Sequence, residues 1–155
     1  INTNGEIPSV GSDAPDFFLV NSEMKDISLS DYKGKKKLLS IVPSLDTPVC
    51  ATSTIKFNKS AKDNPNVVFL IISADLPFAM SRFRKAENLE NVVSLSMMRS
   101  RNFAKDYGVL ISDGPLAGIT ARALLVLDEN DKVIYSDIIS EIANEPDYDS
   151  ALKLL

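Results

Sequence analysis

The chain has no histidine, no tryptophan and a single cysteine among its 155 residues. Without histidine there is no Ser-His-Asp triad, no Cys-His pair and no imidazole ligand for a metal. One cysteine excludes a disulfide within the chain, a CxxC redox pair and a thiolate-built zinc site. Long apolar runs are missing as well. The longest, Val67–Ile72, falls far short of the roughly 20 residues of a membrane span. Positive charge is not in surplus, and the net charge of -4 argues against a general electrostatic grip on nucleic acid or an anionic membrane. Scarce cysteine points to a reducing compartment and so to the cytoplasm. The chain begins at Ile1, with no charged stretch followed by an apolar one of the kind that directs secretion.

What is present is ordinary globular composition, 45% hydrophobic and 25% charged, at a length that reads as one domain over residues 1–155. A chain of this size buries about 68–70% of the surface it exposes when unfolded, enough for a core without staples. Ile1–Pro15, rich in Gly, Pro, Asn and Ser, reads as irregular. Phe17–Val20 and Ile27–Leu29 flank a polar stretch and predict a hairpin. Leu38–Val42 and Val67–Ile72 read as buried strands. Between them Cys50, Thr54, Phe57 and Ala61 recur on one face of a helix that Asn64-Pro65-Asn66 stops. Strand, helix, strand predicts a βαβ unit with a parallel pair. Pro77–Leu89 predicts a second helix with Ala79, Phe83, Ala86 and Leu89 on its apolar face. Val92–Leu95 reads as a strand, Asn102–Tyr107 as a short helix ended by Gly108, and Tyr148–Leu155 as another short helix. Ala123–Leu127 and Val133–Tyr135 predict an antiparallel hairpin around Asp128–Asp131, which lacks the glycine of a calcium loop. Lys33, Lys35, Lys36 and Lys37 read as a solvated strand entry. The sum is an α/β fold, a mixed central sheet with helices on both faces.

One residue stands where chemistry is possible. Thr47 is a favoured N-cap and Pro48 a favoured first helical residue, so Cys50 falls in the first turn of a helix directly after a buried strand. Helix starts carry unpaired N–H groups and the positive end of the macrodipole, a setting that favours thiolate over thiol. With no histidine, activation has to come from that dipole, from hydrogen bonds and from Arg or Lys. Two readings stay open: a reactive thiolate, or a small buried hydrophobe, the common fate of a free cysteine. Arg122 precedes the apolar run Ala123–Leu127. It is either a cation that holds a thiolate and a bound oxyanion or a strand-end arginine in an ordinary carboxylate pair.

The spacing Pro43-Ser44-Leu45-Asp46-Thr47-Pro48-Val49-Cys50 resembles the P-x-x-x-T-x-x-C motif of peroxiredoxins. Flanking blocks narrow the likeness: Val10–Phe17, Ile72–Ala79, Asp113–Gly118, Ala121-Arg122-Ala123 and Asn144–Tyr148. In this order, over nearly the whole chain, they resemble the bacterial thiol peroxidases, the atypical two-cysteine branch. The resemblance implies a thioredoxin-like fold and a peroxidase acting on hydrogen peroxide and alkyl hydroperoxides. It implies Cys50 as the peroxidatic cysteine, and Thr47 as the residue whose hydroxyl bonds thiolate and peroxide. It further implies Pro43 as the shield of the pocket and Arg122 as the cation that polarises both sulfur and peroxide. It also implies a homodimer, thioredoxin or another thiol as reductant, no cofactor, and a start trimmed inside an N-terminal hairpin.

One departure bears on mechanism. The family carries a resolving cysteine in a stretch like S-R-F-C-x-A-E; here Ser81-Arg82-Phe83-Arg84-Lys85-Ala86-Glu87 places Arg84 at that position. The family's intramolecular disulfide cannot form. A sulfenic acid at Cys50 then has to be reset by an external thiol. The alternative is that Cys50 serves a peroxide sensor or relay, passing its oxidation to a partner.

Overall fold

Apolar runs too short for helices, separated by one long amphipathic segment, fold as a sheet with crossover helices. The computed structural model describes residues 2–139, 141 and 143–155. Along the described chain come β1 (Thr3–Asn4), β2 (Leu19–Val20), β3 (Asp26–Ile27) and a 3-10 turn (Leu29–Tyr32). Next are β4 (Lys36–Ile41), α1 (Pro48–Asp63), β5 (Val67–Ser73) and α2 (Pro77–Ala86). Then follow β6 (Val93–Ser96), α3 (Asn102–Asp106), β7 (Leu110–Ile111), β8 (Arg122–Leu127), β9 (Val133–Ile139) and α4 (Tyr148–Leu152).

The main sheet has the order β3-β2-β6-β5-β4-β8-β9. β4, β5 and β6 are parallel, and the outer pairs are antiparallel. The expected βαβ unit is β4-α1-β5, with Leu39 opposite Leu70 and Ile41 opposite Ile72. Alternation along β4 divides the core. Leu39 and Ile41 pack toward Phe103 and Tyr107 around α3. Leu38 and Val42 pack toward Cys50, Phe57 and Ala61 of α1, Met80 of α2 and Ala151 of α4. Helices therefore cover both faces. The buried face of α1 is Cys50, Ser53, Thr54, Phe57 and Ala61, which contains the predicted stripe.

Four expectations need correction. The first segment is not wholly irregular: Thr3–Asn4 pairs with Leu110–Ile111, a contact too short and too distant in sequence to leave a periodic signal. The hairpin strand expected to end at Tyr135 runs on to Ile139. α2 ends at Ala86, and only part of its predicted face is inward: Leu89 is buried but lies beyond the helix and Phe83 is half-buried on the same core, whereas Ala79 and Ala86 are exposed and Pro77 and Met80 are buried instead. The inward face centres on Met80 with Phe83 at its border. Lys37 is not solvated. It is fully buried, its ammonium bonded to the Lys35 carbonyl (3.0 Å) and the Asp131 carboxylate (2.5 Å).

Gly108 closes α3 as expected, with φ +65°. It also lies where the N-terminal segment crosses: a Cβ there would sit 2.2 Å from the backbone carbonyl carbon of Glu6. Gly108→Ala combines left-handed strain with this clash, so it is expected to lower the unfolding free energy by about 1–3 kcal/mol or more. A urea titration checks this, and an unchanged midpoint would refute it.

Candidate active site

The C-terminal end of β4 is where the sequence concentrates its special residues. Val42 continues the strand, its amide donating to the Ile72 carbonyl (2.9 Å). Pro43 has no amide to continue the ladder and is buried at the turn that follows. Thr47 occupies the N-cap position with extended backbone (φ -126°, ψ 147°), and Pro48 is the first helical residue. Cys50 follows in the first turn, 0% exposed, packed with Val42, Leu45 and Leu124.

Thr47 differs from an ordinary cap. Its hydroxyl makes no bond to the helix amides; it donates to the Ser44 carbonyl (2.8 Å). With its proton turned into the loop, the Thr47 oxygen has lone pairs to offer, and the first-turn amides are left without that acceptor.

Arg122 begins β8 and is only 2% exposed. Because Ala123 pairs antiparallel with Ile41, the start of β8 lies beside the end of β4. Alternation puts Arg122 on the same face as Leu124 and Val126, the face that packs with Cys50. Thr120 fastens the approach to β8, its hydroxyl donating to the Val42 carbonyl (2.8 Å). Thus Pro43, Thr47, Cys50 and Arg122 all lie at one end of β4, Cys50 and Arg122 on the α1 side of the sheet.

Two groups of residues around this end lie in blocks that carry the family resemblance, Ile72–Ala79 and Asn144–Tyr148, but the sequence alone assigns them no role. The first is Asp75, just past β5. Its carboxylate accepts the Ser44 hydroxyl, the Leu45 amide and the Ser73 hydroxyl, each at 2.7 Å. The second is Glu145, which accepts the Tyr148 hydroxyl (2.8 Å) and the Lys56 ammonium (3.3 Å). Lys56 also lies 4.6 Å over the Tyr148 ring, and Tyr148 stacks at a tilt on Phe57 of α1. Burial, then the bond to Glu145, push the Tyr148 phenol up, so it remains a donor. The Tyr148 hydroxyl, then Lys56, hold the Glu145 carboxyl below the usual carboxylate range, with a smaller contribution from the charge of Arg122.

Two grooves flank the loop and α2. One, about 380 Å³, is lined by Leu45, Asp46, Asp75, Ala79, Arg82 and Phe83, so the exposed stripe of α2 borders the loop that leads to Cys50. Arg84 lies on another side of α2, in a groove with Ser22, Ser81, Lys85 and Asn88. Its guanidinium donates to the Leu89 carbonyl (3.3 Å). Among the described residues no group of three or more His, Cys, Asp or Glu side chains is placed to hold a metal ion. Among them, no helix is long and apolar enough to cross a membrane.

A sheet of this order with helices on both faces, and a cysteine in the first turn after a central strand, defines a thioredoxin-like redox protein. Known proteins agree. The family model described as Redoxin matches residues 9–152. A thiol peroxidase from Corynebacterium glutamicum is 48% identical over 153 residues, covering 99% of this chain and 92% of that protein. Among solved structures, a peroxiredoxin-like protein from Aquifex aeolicus superposes with a TM-score of 0.92 at 38% identity, over 98% of this chain and 88% of the other. A thiol peroxidase from Chromobacterium violaceum gives 0.91 at 29% identity, over the same 98% and 88%. The chain belongs to the redoxin family, among the bacterial thiol peroxidases.

The Glu145 cluster has a pH signature. A carboxyl depressed in the folded state stabilises the fold above its unfolded value, and that contribution is lost as pH falls through the folded value. Glu145 is largely exposed, so the effect is small. Glu145→Gln is expected to lower the thermal midpoint slightly at pH 7, with the gap to the parent closing as pH drops below about 4. Thermal melts of both proteins across that range check it; a gap that widened in acid would contradict the assignment.

Proposed function

We propose that this chain is a thiol-dependent peroxidase that reduces hydrogen peroxide and alkyl hydroperoxides through Cys50 and is reset by an external thiol such as thioredoxin. The observation that carries the reading is the position of its one thiol. Cys50 lies buried in the first turn of α1, on the same side of the sheet as a buried arginine, in a chain 48% identical to a thiol peroxidase.

The chemistry follows from the placement. The Cys50 thiolate attacks one peroxide oxygen, an S–O bond forms and the O–O bond breaks. The departing oxygen leaves as hydroxide or alkoxide and takes a proton to become water or alcohol. Sulfur is oxidised to the sulfenic acid and the peroxide is reduced. Thr47, its proton committed to Ser44, accepts the O–H of the bound hydroperoxide and orients it. Arg122 and the first-turn amides stabilise the charge that develops on the leaving oxygen. Pro43 walls the pocket from water.

With one cysteine in the chain, no internal disulfide can follow. An external thiol attacks the sulfenic sulfur, water departs and a mixed disulfide forms. A second thiol then releases Cys50 in reduced form. We place this cycle in the cytoplasm, in a homodimer, on the strength of the family resemblance and the scarcity of cysteine.

Stopped-flow peroxide consumption with excess dithiothreitol tests the assignment. Cys50→Ser is expected to fall to the background rate of dithiothreitol alone; turnover at the parental rate would remove Cys50 from the mechanism. Arg122→Ala is expected to slow oxidation of Cys50 roughly 10²-fold or more, the usual cost of losing one donor to a developing oxyanion. An unchanged rate in a folded variant would take Arg122 out of the site.

A further inference from the structure

The loop that delivers Cys50 to the helix start is held by one carboxylate. Asp75 Oδ1 accepts the Ser44 hydroxyl, and Oδ2 accepts both the Leu45 amide and the Ser73 hydroxyl, all at 2.7 Å. The Ser73 hydroxyl takes the Asp75 amide in return (3.1 Å), and the Ser96 hydroxyl donates to the Asp75 carbonyl (2.5 Å). Asp75 is thereby tied to β5 and β6 and, through its carboxylate, to the loop between β4 and α1. From Ser44 the bonds run on toward the thiol. The Ser44 hydroxyl accepts the Asp46 amide (3.1 Å), and the Ser44 carbonyl accepts the Thr47 hydroxyl (2.8 Å).

This arrangement is more than the fold needs to seat α1. Phe57 and Ala61 pack the later turns of the helix on the sheet whatever the loop does. The end that the Asp75 bonds govern is Ser44–Thr47, the approach to Cys50. Charge-assisted bonds at 2.7 Å to both a backbone amide and a side-chain hydroxyl fix orientation as well as distance. Fixing the rotor of Thr47 through the Ser44 carbonyl decides whether that hydroxyl shows a proton or a lone pair to a ligand.

We propose that Asp75 is a positioning residue for peroxide reduction: by clamping Ser44 and Leu45 it aligns the Thr47 hydroxyl and the first turn of α1 with the Cys50 sulfur. The inference rests on Cys50 being the reacting thiol. Asp75 itself touches neither sulfur nor peroxide in this role; it acts through Ser44.

Asp75→Asn keeps the size of the side chain but replaces one acceptor oxygen with an NH2 that cannot accept. Two rates are compared in the full chain: oxidation of Cys50 by hydrogen peroxide, followed by intact mass with a sulfenic-acid trap, and alkylation of Cys50 by iodoacetamide. Peroxide reduction needs an aligned oxygen, and alkylation does not. The peroxide rate is expected to fall on the order of 10–100-fold while the alkylation rate changes by less than about threefold, because misplacement of about 1 Å is costly only for an aligned reaction. A role in stability alone would lower the melting midpoint and leave the ratio of the two rates at the parental value; that result overturns the proposal. If Asp75→Asn does not fold, judged by circular dichroism, Ser44→Ala carries the test. It removes one of the three bonds and is expected to lower the same ratio by a smaller factor, and an unchanged ratio in folded Ser44→Ala overturns the proposal. A parent chain whose Cys50 meets peroxide no faster than a free thiol overturns the Cys50 assignment and Asp75 with it. A fast parent with an unaltered Asp75→Asn overturns Asp75 only.

Discussion

The pairing of β4 on both its edges is the constraint from which the site follows. On one side it is parallel to β5, with Ile41 opposite Ile72; on the other it is antiparallel to β8, with Ile41 opposite Ala123. Parallel pairing brings the end of β5 to the end of β4, and so brings Ser73 and Asp75 to the loop that leaves β4. Antiparallel pairing brings the start of β8 to the same place, and so brings Arg122. Three segments far apart in sequence meet because one strand has two partners of opposite direction. The register is secured by burial. Leu38, Leu39 and Ile41 are each fully buried, and each such side chain contributes about 1.5–3 kcal/mol. A slip of one residue would exchange the faces of the strand and move Leu38 and Val42 away from α1.

In the proposed cycle, burial at this point serves reduction of a peroxide and opposes recovery from it. A guanidinium 2% exposed is held out of water, where its effect on a developing oxyanion is stronger than at a surface. The same enclosure leaves Cys50 fully buried, and a protein thiol cannot reach a sulfur it cannot touch. The helix that carries Cys50 is not built for maximal rigidity. The hydroxyls of Thr52, Ser53 and Thr54 bond back to the carbonyls of Pro48, Cys50 and Cys50 at 2.9, 3.0 and 2.8 Å. Hydroxyl back-bonds of this kind compete with the helix ladder and slightly destabilise it. They are concentrated in the turns that carry and follow Cys50.

The legibility of this protein in its sequence follows the range of the interactions involved. The βαβ unit is legible because its signals are local: apolar runs, a helical stripe from Cys50 to Ala61, Thr47-Pro48 at the start and Asn64-Pro65 at the end. The place of Cys50 is legible for the same reason, and Arg122 stands out as a charge against an apolar strand. What is not legible is who meets whom. Ser73-Ala74-Asp75 is legible only as part of a block that carries the family resemblance, and the bonds of its carboxylate to Ser44 and Leu45 are reached only across the parallel pair. The burial of Lys37 depends on Asp131, a turn residue at the far side of β8. Thr47 takes the predicted N-cap place in the backbone, but its hydroxyl goes to Ser44, because a carbonyl in the loop competes with the helix amides for the same side chain. In α2, tertiary packing chose Met80 over Ala79 and Ala86.

The same geometry explains why the loss of a second cysteine need not disturb the first. The groups proposed to act on Cys50 lie at the end of β4: the loop from Pro43, the first turn of α1, Arg122 and the Asp75 carboxylate. Arg84, at the position where the family resemblance places a resolving cysteine, borders a groove with Ser22, Ser81 and Asn88 rather than the groove beside Leu45 and Asp46. In the folded chain, position 84 does not contribute to the wall of the Cys50 loop. An arginine suits it locally, because a cation in the last turn of a helix complements the dipole, and its guanidinium finds the Leu89 carbonyl just beyond. The groups proposed to act on the O–O bond and the position where the resemblance places a resolving cysteine thus line different parts of the structure. Arg84 at that position leaves the lining of the Cys50 loop to other residues, and in the proposed cycle recovery falls to a thiol from outside.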